Sequence, residues 1–180
     1  SNALKQWRTS VENRDIYVVQ FPRIEISEAR GFALAESKIP IIGINSRDSY
    51  TARIFTLIHE LIHIFLRDSI LINDELNKYY SDSNATIEQF CNRLAAEVLV
   101  PTDVFLDNYS INNNSIDEIR RLASRFQVSP FMLSIRALES DLINQAQYDE
   151  VKSKIKKFSK DDRPSSGGNP YRNRIVQKGR

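Results

Sequence analysis

Cysteine occurs once in the 180 residues, at Cys91, so no disulfide can close within the chain and a reducing compartment is expected. No apolar run approaches the roughly 20 residues of a membrane span, and no signal peptide is visible. The expected location is the cytoplasm. An excess of one charge is also lacking. Twenty-five Lys and Arg against 23 Asp and Glu leave a formal charge of +2, which gives no general reason to expect nucleic-acid or membrane binding. Internal repeats are absent. Histidine is almost as scarce as cysteine: there are two, and they stand four residues apart.

What is present starts from that pair. The stretch reads His59-Glu60-Leu61-Ile62-His63, an H-E-x-x-H word. On a helix, positions i and i+4 share a face, so both imidazoles can reach one zinc ion (Zn2+). Glu60 stands about 100° round the helix from His59. From there its carboxylate can approach a bound water as catalytic base without being a ligand. The surrounding residues 51–67 hold no Gly or Pro, and Ile54, Leu57, Ile58, Leu61, Ile62 and Phe65 form a broad apolar stripe. Two imidazoles and a carboxylate in such a helix call for a partner or a metal.

The expected fold class is α+β: a small twisted sheet packed on the H-E-x-x-H helix, zincin-like, followed by a helical C-terminal region. Residues 15–21, 29–35 and 40–45 read as strands. Asp48 or Ser49 is placed to cap the helix that follows. Residues 68–84 read as a polar loop beside the site, and 85–100 as a second helix ended by Pro101. Thr102 is placed to cap a short helix. Ser115 to Glu118 reads as a capping box opening a helix to about 126. Ser129-Pro130 opens another, and a final helix is expected over 144–157. The 41% hydrophobic content supports a sizeable core. Residues 1–3 look like a tag remnant. A metallopeptidase core is expected over 4–110, a helical subdomain over 111–158 and a flexible basic tail over 159–180.

A catalytic zinc usually takes three protein ligands and a water. With no third histidine, the third ligand is a carboxylate or Cys91. The metzincin extension needs glycine at position 66 and histidine at 69; Leu66 and Ser69 stand there, which excludes that class. A glutamate from a second helix is the remaining common arrangement. Glu88 and Glu97, nine residues apart, fall on opposite sides of the second helix. Glu88 shares its face with Asn92, Ala95 and Leu99, and that face continues into an apolar arc at Leu94 and Val98, which points Glu88 toward packed structure. Glu97 is within reach of Arg93 for a surface ion pair. Helical geometry therefore favours Glu88, with Glu97 as the alternative. Asn92, one turn beyond Glu88, is placed to hold a histidine from behind.

These residues resemble a known family. Phe55-Thr56 before His59, Glu60 and His63, then Glu88, Asn92, Ala95-Ala96, Leu99 and Pro101, are similar to the ImmA/IrrE metallopeptidases of bacteria and phages. Members typically read F-T-x-x-H-E-x-x-H, then E-x-x-x-N-x-F-A-A-x-x-L-x-P. The resemblance extends from about 15 to 142. It implies zinc bound by His59, His63 and Glu88, with Glu60 as the catalytic carboxylate. It also implies cleavage of a specific regulatory protein such as a helix-turn-helix repressor. Ile62 stands where the family often has Gly, and Val100 where Met is common.

Thermolysin-like enzymes steady the oxyanion with a histidine, and none remains here. Tyr79, Tyr80, Tyr109 and Arg53 are the candidates for that role. The gap points to slow or partner-dependent catalysis. Two other classes of function compete: a DNA- or repressor-binding module, from the helix-turn-helix rhythm of 118–142, and a zinc-containing regulatory scaffold with little protease activity. The second helix of that rhythm has only Arg136 as a base, so direct nucleic-acid binding is not expected.

Overall fold

The computed structural model describes residues 2–35, 38–72, 84–112 and 114–161. Helix α1 (Asn2–Glu12) leads into β1 (Tyr17–Phe21), β2 (Gly31–Leu34) and β3 (Ile41–Asn45), and then the long helix α2 (Tyr50–Ile72). Five helices follow: α3 (Asn84–Leu99), α4 (Thr102–Asn108), α5 (Ser115–Phe126), α6 (Pro130–Glu139) and α7 (Gln145–Asp161). The architecture is α+β, as expected. Helix α1 was not anticipated, although Leu4 and Val11, seven apart, are both buried on one of its faces. Among the described residues no helix is long and apolar enough to cross a membrane.

The three strands form one mixed sheet in the order β1-β3-β2. β1 runs parallel to the central β3, pairing Val18 with Ile42, while β2 runs antiparallel, pairing Phe32 with Gly43. The period-2 alternation of β3 sends Ile42 and Ile44 to one face, where they join Val18 and the α2 residues Leu57 and Ile64 in a buried cluster. Gly43 points the other way, and a Cβ there would fall 2.2 Å from the Phe32 ring, so glycine lets that ring lie across the strand.

Two features of this layer set up the site. Ser49 Oγ accepts from the Ala52 amide and so caps α2, as expected of that pair. Asn45, fully buried at the end of β3, donates through Nδ2 to the carbonyls of Ile24 (2.9 Å) and Ala29 (2.8 Å) and accepts from the Arg47 amide. Those bonds tie the segment before β2 against the sheet.

The remaining helices bury a second core that includes Val100, Phe105, Ile119, Leu122, Leu133 and Val151. Four local expectations are corrected. Residues 68–72 continue α2 rather than entering a loop; adding residues to an existing helix is far easier than starting one. The rest of that expected loop, 73–83, lies outside the described residues, as does the expected tail beyond 161. Along α2, Ile64 is buried and Phe65 is exposed, so the stripe turns one residue earlier than its pattern suggested. Thr102 does not cap α4; Pro101 is its N-cap, and the Thr102 hydroxyl donates instead to Glu97. At α5 the cap is Asn114, whose side chain accepts from the Ile116 amide. Asn caps as well as Ser, and this register puts Asp117, not Glu118, at the third helical position. Glu118 instead binds the Ser110 amide and Arg121. Ser129 caps α6 through the Met132 amide, with Pro130 in the first turn.

Candidate metal centre

Helix α2 packs on the sheet through one side and on α3 through another. The α2–α3 contact is made by Ile58 and Ile62 against Cys91 and Ala95, all buried. Small residues on α3 let the two helices approach closely, and the approach brings Glu88 to the histidines. His59 Nε2 and His63 Nε2 lie 3.0 Å apart. Glu88 Oε2 is 3.2 Å from the first and Oε1 is 3.2 Å from the second. The three residues offer donor atoms within 4.8 Å of one another, a group that could hold a metal ion.

The surroundings suit a neutral His59 imidazole. Burial lowers the His59 pKa and the neighbouring His63 adds to that, while Glu88 and Asn92 act in the other direction. Nδ1 of His59 is buried with no hydrogen-bond partner among the described residues. Behind His63, the Cys91 sulfur lies 3.7 Å from Nδ1. Burial, with the charges of Glu88 and Glu60, pushes the Cys91 thiol up to about 11, so it stays protonated at neutral pH. Burial first, and the Glu88 charge second, raise the Glu60 carboxyl to about 7. Strand β2 presses close here. A Cβ at Gly31 would fall 2.3 Å from Thr56 Cγ2 and 3.1 Å from Glu60 Oε1, so only glycine lets the strand pass.

His59 and Glu88 of the cluster line a groove of about 1090 Å³. The segment ending at Gly31 lines one side, α2 and α3 contribute Phe55, Thr56, Glu60 and Asn92, and α6 lines the other. A peptidase-like cluster in a groove of this kind narrows the class, and comparison with known families decides it. Residues 11–138 match the model of a peptidase family described as the IrrE N-terminal-like domain. The chain belongs to that family. A comparison with curated proteins finds no match. Membership of the IrrE-like peptidases implies a protein substrate.

Other expected site residues fall elsewhere. Arg53 stacks over Tyr50 at 4.3 Å and donates to Gln20, and Tyr109 packs against Phe105. Neither lines the groove. Tyr79 and Tyr80 lie outside the described residues. The expected Glu97–Arg93 pair does not form. Glu97 accepts from the Thr102 amide (2.9 Å) and hydroxyl (2.7 Å) and from Arg136 (2.7 Å), a residue 39 positions away. Nor do Leu94 and Val98 carry Glu88 into packed structure. Both are exposed, because α3 buries Cys91, Ala95 and Ala96 instead, and the Glu88 side chain is itself half-exposed. Sequence reasoning missed the α6 side of the groove altogether. It also missed the role of Gly31, although a lone glycine at the head of a strand is a signal of close approach.

Proposed function

We propose that the protein is a zinc-dependent endopeptidase whose metal is held by His59, His63 and Glu88 and whose catalytic base is Glu60. The convergence of three donor groups on one point, at the edge of the groove that His59 and Glu88 line, carries this reading. Tetrahedral zinc with bonds of about 2.0–2.2 Å keeps its ligand atoms about 3.3 Å apart, and the separations of 3.0, 3.2 and 3.2 Å fit such a set. Zinc, when bound, lowers the pKa of a water toward about 7 and polarises the scissile carbonyl. Glu60, with a carboxyl near 7, is suited to take a proton from the attacking water and return it to the leaving nitrogen. Asn92 lines the groove near enough to His59 to act on its pKa, and it is the residue proposed to steady that ring.

The substrate proposed is a specific regulatory protein such as a helix-turn-helix repressor, which rests on the family resemblance. Incubation with helix-turn-helix regulators from the same genome, with and without a chelator, tests both parts. Cleavage abolished by the chelator and by Glu60→Gln is the expected result, and products insensitive to both would sink the peptidase reading.

One observation favours a second reading, a zinc-containing regulatory module with little intrinsic protease activity. Neither Arg53 nor Tyr109 reaches the groove to steady an oxyanion. Glu60→Gln separates the two: a peptidase loses function and keeps zinc, whereas a scaffold keeps both.

A further inference from the structure

The helix-turn-helix rhythm of α5 and α6 is not absorbed by the metal centre, and its placement gives it a use. In a DNA reader the second helix of such a pair presents polar and basic side chains to a groove of the duplex. Helix α6 cannot do this. Its sole basic residue, Arg136, is 7% exposed and bonded through one amino group to both Glu97 and Thr102. Helix α6 lines the catalytic groove with Phe131 and Ile135, one turn apart, and with Arg136 and Glu139 next to them. Met132 borders the groove but is 7% exposed and belongs, with Leu133 and Ala137, to the helical core. Phe131 is 42% exposed, a large ring kept open beside a candidate active site.

We propose that α6 is a specificity wall of the peptidase: Phe131 and Ile135 receive a large apolar side chain of the substrate segment lying across the metal centre. The occupant is an extended stretch of protein, because the same continuous groove contains Glu60, His59 and Glu88 and is lined on its far side by Gly31 and the segment before it. This assignment rests on the peptidase reading for the identity of the occupant. An apolar pocket discriminates by the area it buries, so loss of one wall residue weakens recognition on the order of tenfold. The wall is anchored by the Glu97–Arg136 pair, which joins α6 to α3, the helix that carries Glu88.

The test uses the full chain carrying Glu60→Gln, loaded with zinc and immobilised, and a library of unstructured random-sequence peptides as the probe. Retained peptides are expected to be enriched in Leu, Ile, Met or Phe at one position. Phe131→Ala and Ile135→Asn, each added to that background, should reduce retention about tenfold and erase the enrichment. Ile111→Ser, which removes an apolar side chain that is 79% exposed outside the groove, should leave it intact. If Ile135→Asn fails to fold, Phe131→Ala carries the test, because its ring is already partly in water. Absence of enrichment, or enrichment unchanged in the α6 variants, overturns the proposal. Digestion of helix-turn-helix regulators from the same genome by the unsubstituted protein, with and without a chelator, reports separately on the parent reading. Enrichment without chelator-sensitive cleavage sinks the peptidase and keeps the wall; cleavage without enrichment does the reverse.

Discussion

Glu88 and Glu97 stand nine residues apart on α3 and meet opposite surroundings. At the Glu97 end the carboxylate finds its partners inside the protein: an amide and a hydroxyl of Thr102 and the guanidinium of Arg136. These hold its carboxyl down to about 2, with the Thr102 amide as the largest cause. That end is electrically complete, and it joins α3, α4 and α6. At the Glu88 end both carboxylate oxygens face imidazoles, one of which burial keeps from taking a proton. No Lys or Arg pairs with Glu88 among the described residues, so that end calls for a cation from outside. Residue type and helix are the same. What separates a structural carboxylate from one free to take a ligand is whether the fold supplies the positive charge.

The comparison can be broken at several points, starting with the largest effect. Glu60→Gln should lower cleavage about 10²–10⁴-fold, measured as initial rate on a cleaved substrate, while zinc content stays unchanged. Loss of both would make Glu60 part of the binding set and blur the contrast. Asn92→Ala, at the Glu88 end, should weaken zinc binding about tenfold in a competitive chelator titration, with little change in melting. Glu97→Gln should do the converse. It leaves the buried Arg136 short of a charge, and urea unfolding should report a loss of about 1–2 kcal/mol, discounted because the Glu97 side chain is nearly half-exposed. The smallest effect is a slope. The Glu97 carboxyl sits at about 2 when folded against 4.5 ordinarily, so the unfolded chain takes up the proton first as pH falls. Its contribution is full above about 4.5 and is lost as pH drops toward 2. Unfolding curves across that window should be flatter in Glu97→Gln than in the native chain.

Much of this was legible in the sequence because it is local. The H-E-x-x-H helix, the three strands and the Ser129-Pro130 start of α6 each follow from neighbouring residues within about one turn or one strand. Glu88, not Glu97, lies beside the histidines, but no apolar arc carries it there: Leu94 and Val98 face water, and the small residues Cys91 and Ala95 make the close contact. The partner of Glu97 was illegible because helical spacing proposes only near neighbours such as Arg93, whereas Arg136 arrives from another helix. The same distance in sequence hid the α6 wall. The Asn114 cap was misread by one residue because Asn and Ser both satisfy the role.

The central claim is that the Glu88 end of α3 binds zinc and the Glu97 end does not. Zinc content of the purified native chain, Glu88→Gln and Glu97→Gln, measured after dialysis against a weak chelator, tests it most directly. The account predicts one zinc per chain in the native protein and in Glu97→Gln, and its loss from Glu88→Gln. Zinc retained by Glu88→Gln and lost from Glu97→Gln, or absent from all three, would contradict it.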